Sequence, residues 1–269
     1  MFFRKVLAFV KRDFLVELSY RLHFILVWLN IFGSIVIFYF ITKLFGKGVS
    51  PYLNEYGGQY FPFLFIGIAF SGYLTIASIS FSRNIRTEQM IGTLEAIFLS
   101  PLRPSILIIS MSLWNFIFAS LSTLIYFLFG ILFFGINLPS ANFLAAAIPF
   151  ILTIISFSSI GIISASFVMI FKRGDPIAWA IGIFSSFLGG TYFPIAVLPN
   201  SLQFISRLLP TTYSLRALRL ALLQGYSCKM LISDITILLL FCIILLPLSL
   251  LIFNYAVKKV KIEGSLTYY

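Results

Sequence analysis

Apolar residues in this chain do not alternate with polar ones; they run on in long uninterrupted blocks separated by short polar stretches. Continuous blocks predict helices that cross a bilayer, whereas a membrane barrel would switch between apolar and polar at every second residue. Six blocks free of Asp, Glu, Lys and Arg can be drawn: about Leu22 to Thr42, Phe61 to Ser82, Ser105 to Gly135, Ala141 to Phe171, Ile177 to Val197 and Ile235 to Val257. The first would be roughly 31 Å long as a helix, enough to span hydrocarbon. The third and fourth are longer, which implies tilt or frayed ends.

Two stretches break the pattern. Before the first block, Phe3, Val6, Leu7, Val10 and Phe14 share one helical face, with Arg4, Lys5, Lys11 and Arg12 on the other side. That spacing predicts an amphipathic helix over 1–20 lying in the membrane interface. No A-x-A-like cleavage site follows the first apolar block, so it reads as a retained span rather than a leader. Between the last two blocks, 198–233 is broken by Pro199, Asn200, Pro210 and Gly225. Two short helical pieces fit there, about Ser201 to Leu209 and Thr212 to Leu223, each too short to cross alone and therefore re-entrant or interfacial. The expected fold is an all-α membrane protein: one transmembrane domain over 1–269, six transmembrane helices, an N-terminal interfacial helix and short re-entrant helices before the last span.

Composition agrees. The chain is 60% hydrophobic and 10% charged, with mean hydropathy +1.05, against about 25% charged in soluble domains. Its net charge of +11 would suggest nucleic acid in a soluble protein. Here it fits basic loops held on the cytoplasmic side and facing anionic lipid, and no basic groove interleaved with aromatics exists for nucleic acid. With the N-terminus inside, 13 Lys and Arg fall on the cytoplasmic side and 6 outside, so both termini are expected in the cytoplasm of a multi-pass plasma-membrane protein. Cys228, Cys242 and the single histidine, His23, make no metal-binding pattern. No ionisable residue falls inside a block, which argues against an ion-coupled carrier. No motif of a hydrolase and no phosphate-binding loop of the GxxxxGK[ST] type is present. Any uphill work must therefore come from another polypeptide.

The polar island of 83–104 carries Arg83, Arg86, Glu88, Glu95 and Arg103, with no charge back to Glu55 or onward to Lys172. Charge of that density belongs in water at the membrane surface. On an unbroken helix, Met90, Ile91, Leu94, Ile97 and Phe98 would rest on the spans. Glu88, Gly92 and Glu95 would line the opposite face, with Gly92 allowing close approach of a partner and Pro101 and Pro104 ending the helix. The run RTEQMIGTLEAIFLSPLRP, from Arg86 to Pro104, resembles the cytoplasmic segment of type-2 ATP-binding-cassette (ABC) exporter permeases. The run GGTYFPIAVLPNSLQFISRLLPTTYSLRALR, from Gly189 to Arg219, is similar to that family's stretch before the last span.

The resemblance implies a permease subunit that exports a hydrophobic or amphipathic substrate such as a drug or lipid, with export of lipid-linked polysaccharide and a non-transporting scaffold as alternatives. It implies cytoplasmic ABC ATPase subunits as partners, a second permease copy (a homodimer before a heterodimer), and no cofactor on this chain, ATP and Mg residing on the ATPase. Glu88, Gly92, Thr93 and Glu95 would then form a coupling helix docked on the ATPase, with Lys172, Arg173 and Asp175 adding contacts from a second loop. Arg216 and Arg219, one turn apart, are candidates for an anionic headgroup or substrate. Ala178, Gly182, Ser186 and Gly190 recur every four residues as a small-residue ridge for helix packing, with Ser186 and Gly190 as possible substrate contacts. Hydroxyls of the fourth span, including Ser156, Ser159, Ser164 and Ser166, read mainly as partners for nearby backbone.

Overall fold

The computed structural model describes residues 2–99, 104–172 and 174–263, and every element among them is helical. Pro101, Arg103 and Arg173, which enter the reading of the two polar loops, lie outside the described residues. The order is α1 (Phe2–Ser19), α2 (Arg21–Val49), a 3-10 segment (Ser50–Tyr56), α3 (Tyr60–Ile91), α4 (Leu94–Phe98), α5 (Pro104–Phe134), α6 (Phe143–Phe171) and α7 (Pro176–Leu188). A second 3-10 turn (Ile195–Val197), α8 (Asn200–Ser206), α9 (Pro210–Leu223) and α10 (Ile232–Ile262) complete it. Five helices among the described residues are long and apolar enough to cross a membrane: α2, α3, α5, α6 and α10.

The centre of the bundle is α3 against α6, flanked by α5 and α10. Of the most apolar stretch of α3, 67% is buried, against 6% for α2 and 17% for α5 and α10. Small residues set the α3–α6 approach: a Cβ on Gly161 would come within 2.7 Å of the Ala77 carbonyl oxygen and 2.8 Å of that of Ser78. In lipid, where no hydrophobic force drives helices together, such close backbone packing supplies much of the attraction. Three of the α6 hydroxyls turn back to their own helix, whereas Ser164 donates to the Asp175 carboxylate. Ser156, Ser159 and Ser166 are buried and donate to the carbonyls of Leu152, Ile155 and Ile162.

The fifth apolar block does not form one long helix. Asp175 caps α7, its carboxylate accepting from Ala178 N–H at 2.9 Å, but the helix stops at Leu188. Thirteen residues cover only about 20 Å at 1.5 Å each. The Gly189–Gly190 pair stops it, with Gly190 at φ 80°. The chain then climbs without helix to the end of the bundle where α3 starts, and Tyr60 donates there to the Tyr192 carbonyl at 3.0 Å. Gly190 therefore lies beyond the helix and does not extend the Ala178–Gly182–Ser186 row.

The two short pieces before the last span appear as α8 and α9, and together they form a V. Thr212 donates to the Ser206 carbonyl at its apex. Ser214 pairs with Thr153, about 15 Å along α6, while Ala221 accepts from Asn142 N–H at the head of α6. The V thus reaches into the bundle and returns to the same end.

In the first helix, Leu7 and Phe14 of the predicted apolar stripe are exposed, and Phe14 meets Trp114 of α5 edge-on, while Val10 of that stripe is half-buried together with Phe9, Asp13 and Glu17.

Candidate functional site

Helix α3 does not end at the membrane boundary. It continues through Arg83 and Arg86 to Ile91, and Gly92 closes it in the left-handed region at φ 79°. Gly92 N–H reaches the Gln89 carbonyl at 3.2 Å and Thr93 N–H that of Glu88 at 3.0 Å, the pattern of a glycine helix end. A Cβ on Gly92 would meet nothing within 4 Å, so its backbone angle, not a close approach, is what requires glycine. The island is therefore two helices with a break, and residues on either side of Gly92 no longer share a face.

This break reassigns the side chains. Leu94 and Phe98 are buried, wedged into a cluster with Phe81 and Ile85 of α3, Leu107 of α5, Met169 of α6 and Phe253 of α10. Met90 and Ile91, expected to rest on the spans, instead point outward at 67% exposure each, and Leu99 and Glu95 are also exposed. Glu88, expected beside Glu95 on the outer face, turns inward and is 7% exposed. Both its oxygens are engaged, one by Arg12 of α1 at 2.8 Å and the other by the Thr93 hydroxyl. Arg12 also holds Asp13 at 2.8 Å. Burial raises the Asp13 carboxyl above its ordinary range, only partly offset by Arg12. From the far end of the chain, Lys261 donates to the Phe98 carbonyl at 3.3 Å. Both ends of the described chain thus meet at the Gly92–α4 end of the bundle. Lys172, capping α6 in a left-handed conformation, and Asp175, capping α7, lie on the second loop.

At the opposite end, Arg216 and Arg219 do not act as a pair. Arg216 is on the surface with Glu55 at 2.8 Å and Asp234 at 3.7 Å. Arg219 is 2% exposed and spends its donors on backbone: Nε on the Phe63 carbonyl at 3.1 Å, and the two terminal nitrogens on those of Gly190 at 2.7 Å and Thr191 at 2.9 Å. The Phe63 ring lies 3.5 Å beneath the guanidinium. Gly67 makes room, since a Cβ there would sit 2.3 Å from both an Arg219 nitrogen and the Thr191 oxygen. Arg219 is a strut binding α9 to the head of α3 and to the chain beyond α7. It is not free to receive a headgroup. The sequence carried a signal of this: Arg219 sits on the same face of α9 as Leu215 and Leu222, both buried.

Gly182 and Ser186 line a small hydroxyl-rich pocket between α3, α7 and α9, with room for about one water, together with Ser71, Ser185, Thr191 and Thr211. The hydroxyls of Ser185, Thr191 and Thr211 are buried and have no partner among the described residues. A buried hydroxyl left without a partner costs about 1–3 kcal/mol, so this cavity suits a polar occupant such as water. Gly190 contributes to a separate opening beside Arg216, Arg219 and Tyr52.

The assembly is a helical bundle with a rooted short helix and an exposed apolar turn at one end. A family model described as ABC-2 type transporter matches residues 4–223. The chain belongs to the ABC-2 type transporter family. No curated protein matches it. As an ABC-2 membrane domain it is a multi-pass membrane protein and the permease part of an ABC transporter, a transport component without catalysis of its own. Permeases of the ABC-2 family work with a cytoplasmic ATPase partner.

Proposed function

We propose that this ABC-2 permease exports a hydrophobic or amphipathic molecule, and that the Gly92–α4 end is where the ATPase docks. The observation that carries this reading is the contrast within the ten residues from Met90 to Leu99. Leu94 and Phe98 are rooted among four spans, while Met90, Ile91, Leu99 and Glu95 stand exposed at the end of the bundle. Large apolar side chains exposed around a single carboxylate, outside the lipid zone, favour a protein partner. Glu95 would pair with a basic residue of the ATPase groove, and Gly92 and Thr93 would shape the turn. Glu88 would hold that turn through Arg12 rather than touch the partner. Movement of the ATPase would reach the spans through the buried wedge.

In this reading the Gly92 end is cytoplasmic, as the basic residues demand, and both termini lie there. The short α7 and the non-helical chain to Tyr192 together make the sixth crossing. Two copies pair, and ATP and Mg remain on the ATPase. Uncharged spans suit an amphiphile.

Co-purification with an ABC ATPase tests the docking. Glu95→Lys is expected to abolish ATPase binding and stimulation while the permease keeps its melting temperature in detergent. Normal stimulation in that variant would refute docking at this end.

A further inference from the structure

The two arginines one turn apart on α9 are held in opposite ways. Arg219 is buried and fixed by three carbonyls, which makes α9, the head of α3 and the chain beyond α7 one body. Arg216 is half-exposed and pairs with carboxylates of two elements outside that body. Its Nε and one terminal nitrogen share a single Glu55 oxygen, at 3.2 and 2.8 Å. Its other terminal nitrogen lies 3.7 Å from Asp234 in the first turn of α10. Asp234 is 5% exposed and has no other ion-pair partner among the described residues.

The Glu55 contact crosses an opening in the protein surface. Tyr52 and Glu55 of the 3-10 segment Ser50–Tyr56 form one side of it, and Thr212 and Arg216 of α9 with Gly190 and Ile195 beyond α7 form the other. The 3-10 segment stands on an apolar footing: Leu53 is fully buried, and the Tyr56 ring lies 5.1 Å from that of Phe63. Directly behind it Gly57 and Gly58 both take left-handed angles, φ 92° and 73°. Two such glycines in a row form a joint, so the segment can tilt on its footing without unfolding. What resists the tilt is the Glu55–Arg216 pair. An ion pair this exposed is weak and is screened by salt, unlike the buried bonds of Arg219.

We propose that Arg216 is a releasable clasp: it holds the 3-10 segment across the opening, and the opening widens when the Glu55 contact parts. Arg219 keeps α9 in place meanwhile, and Asp234 holds the freed guanidinium near α10. The division of labour is the reason that one arginine is buried and its neighbour is not. The proposal rests on the geometry of this end alone and is independent of ATPase docking at the other.

The test reads access to the opening in the full-length permease in detergent. Ile195, half-buried on the rim, is changed to cysteine in a background lacking Cys228, and its rate of reaction with a small maleimide is measured. Native Cys242, buried in the bundle, reports general loosening in the same sample. Glu55→Gln and Arg216→Gln, made separately, are each expected to speed the reaction of Ile195→Cys about two- to fivefold, the range an exposed ion pair allows. Glu55→Gln leaves Asp234 its cation, so it stays informative if Arg216→Gln folds poorly. Arg216→Lys, which keeps the charge, should fall between the parent and Arg216→Gln. High salt should speed the reaction in the parent and not in Glu55→Gln. Unchanged rates in both folded variants would overturn the proposal. So would an equal rise at Cys242, or a salt effect that survives in Glu55→Gln.

Discussion

At Glu88 one carboxylate ties three pieces of chain together, because Arg12 holds it from α1 and Thr93 from beyond the helix end. Arg12→Ala leaves that carboxylate buried without its cation, and the half-exposed arginine keeps the cost to about 1–3 kcal/mol. A lower melting temperature in detergent and a loss of ATPase coupling are expected, and the Arg12→Glu, Glu88→Arg double exchange should recover part of both. Gly92→Ala should cost about 1–2 kcal/mol, because a left-handed angle opposes any Cβ, and Gly92→Asn should cost less. Thermal unfolding of the two variants side by side checks the order. The Glu88, Gly92 and Glu95 spacing does not tell how those residues face. A glycine inside a helical pattern can be an interior residue or a helix end, and that choice rotates every later side chain. Arg219 was legible as one of two cations a turn apart, but not as a strut, because its carbonyl partners come from residues 28 to 156 positions away. Arg219→Ala leaves those carbonyls without their donor and should lower the melting temperature more than Arg216→Ala.

Helices were the most legible level. Long apolar blocks became α2, α3, α5, α6 and α10, because continuous hydrophobicity over such lengths has few other solutions in lipid. The block around Ile177 to Val197 misled because Gly189 and Gly190 are apolar enough to pass for span, and their backbone freedom ends the helix. Packing between elements gives a sharper test. Gly161→Val places branched carbon against the Ala77 and Ser78 carbonyls, so α3 and α6 must separate. The variant is expected to lose stability by more than any substitution on the exposed face of α2, as measured by detergent melting.

For the whole molecule, both ends of the described chain gather at the Gly92 end, whereas Cys228 lies in the connection between α9 and α10 at the other. In sealed vesicles an impermeant thiol reagent should reach Leu99→Cys, in a background lacking Cys228, from one side only. Native Cys228 should react only from the other. Labelling of both from one side would contradict the proposed sixth crossing. Sequence indicated that ordering through the basic residues alone, while the bundle's arrangement around α3 came from contacts that no local pattern encodes.

The last helix connects these two ends directly. Its first turn carries Asp234 near Arg216, and its final turn carries Lys261 on the Phe98 carbonyl. Midway between those two contacts sits Pro247, which has no N–H to give to the helix ladder. That proline is where the connection between the two ends yields most readily to bending.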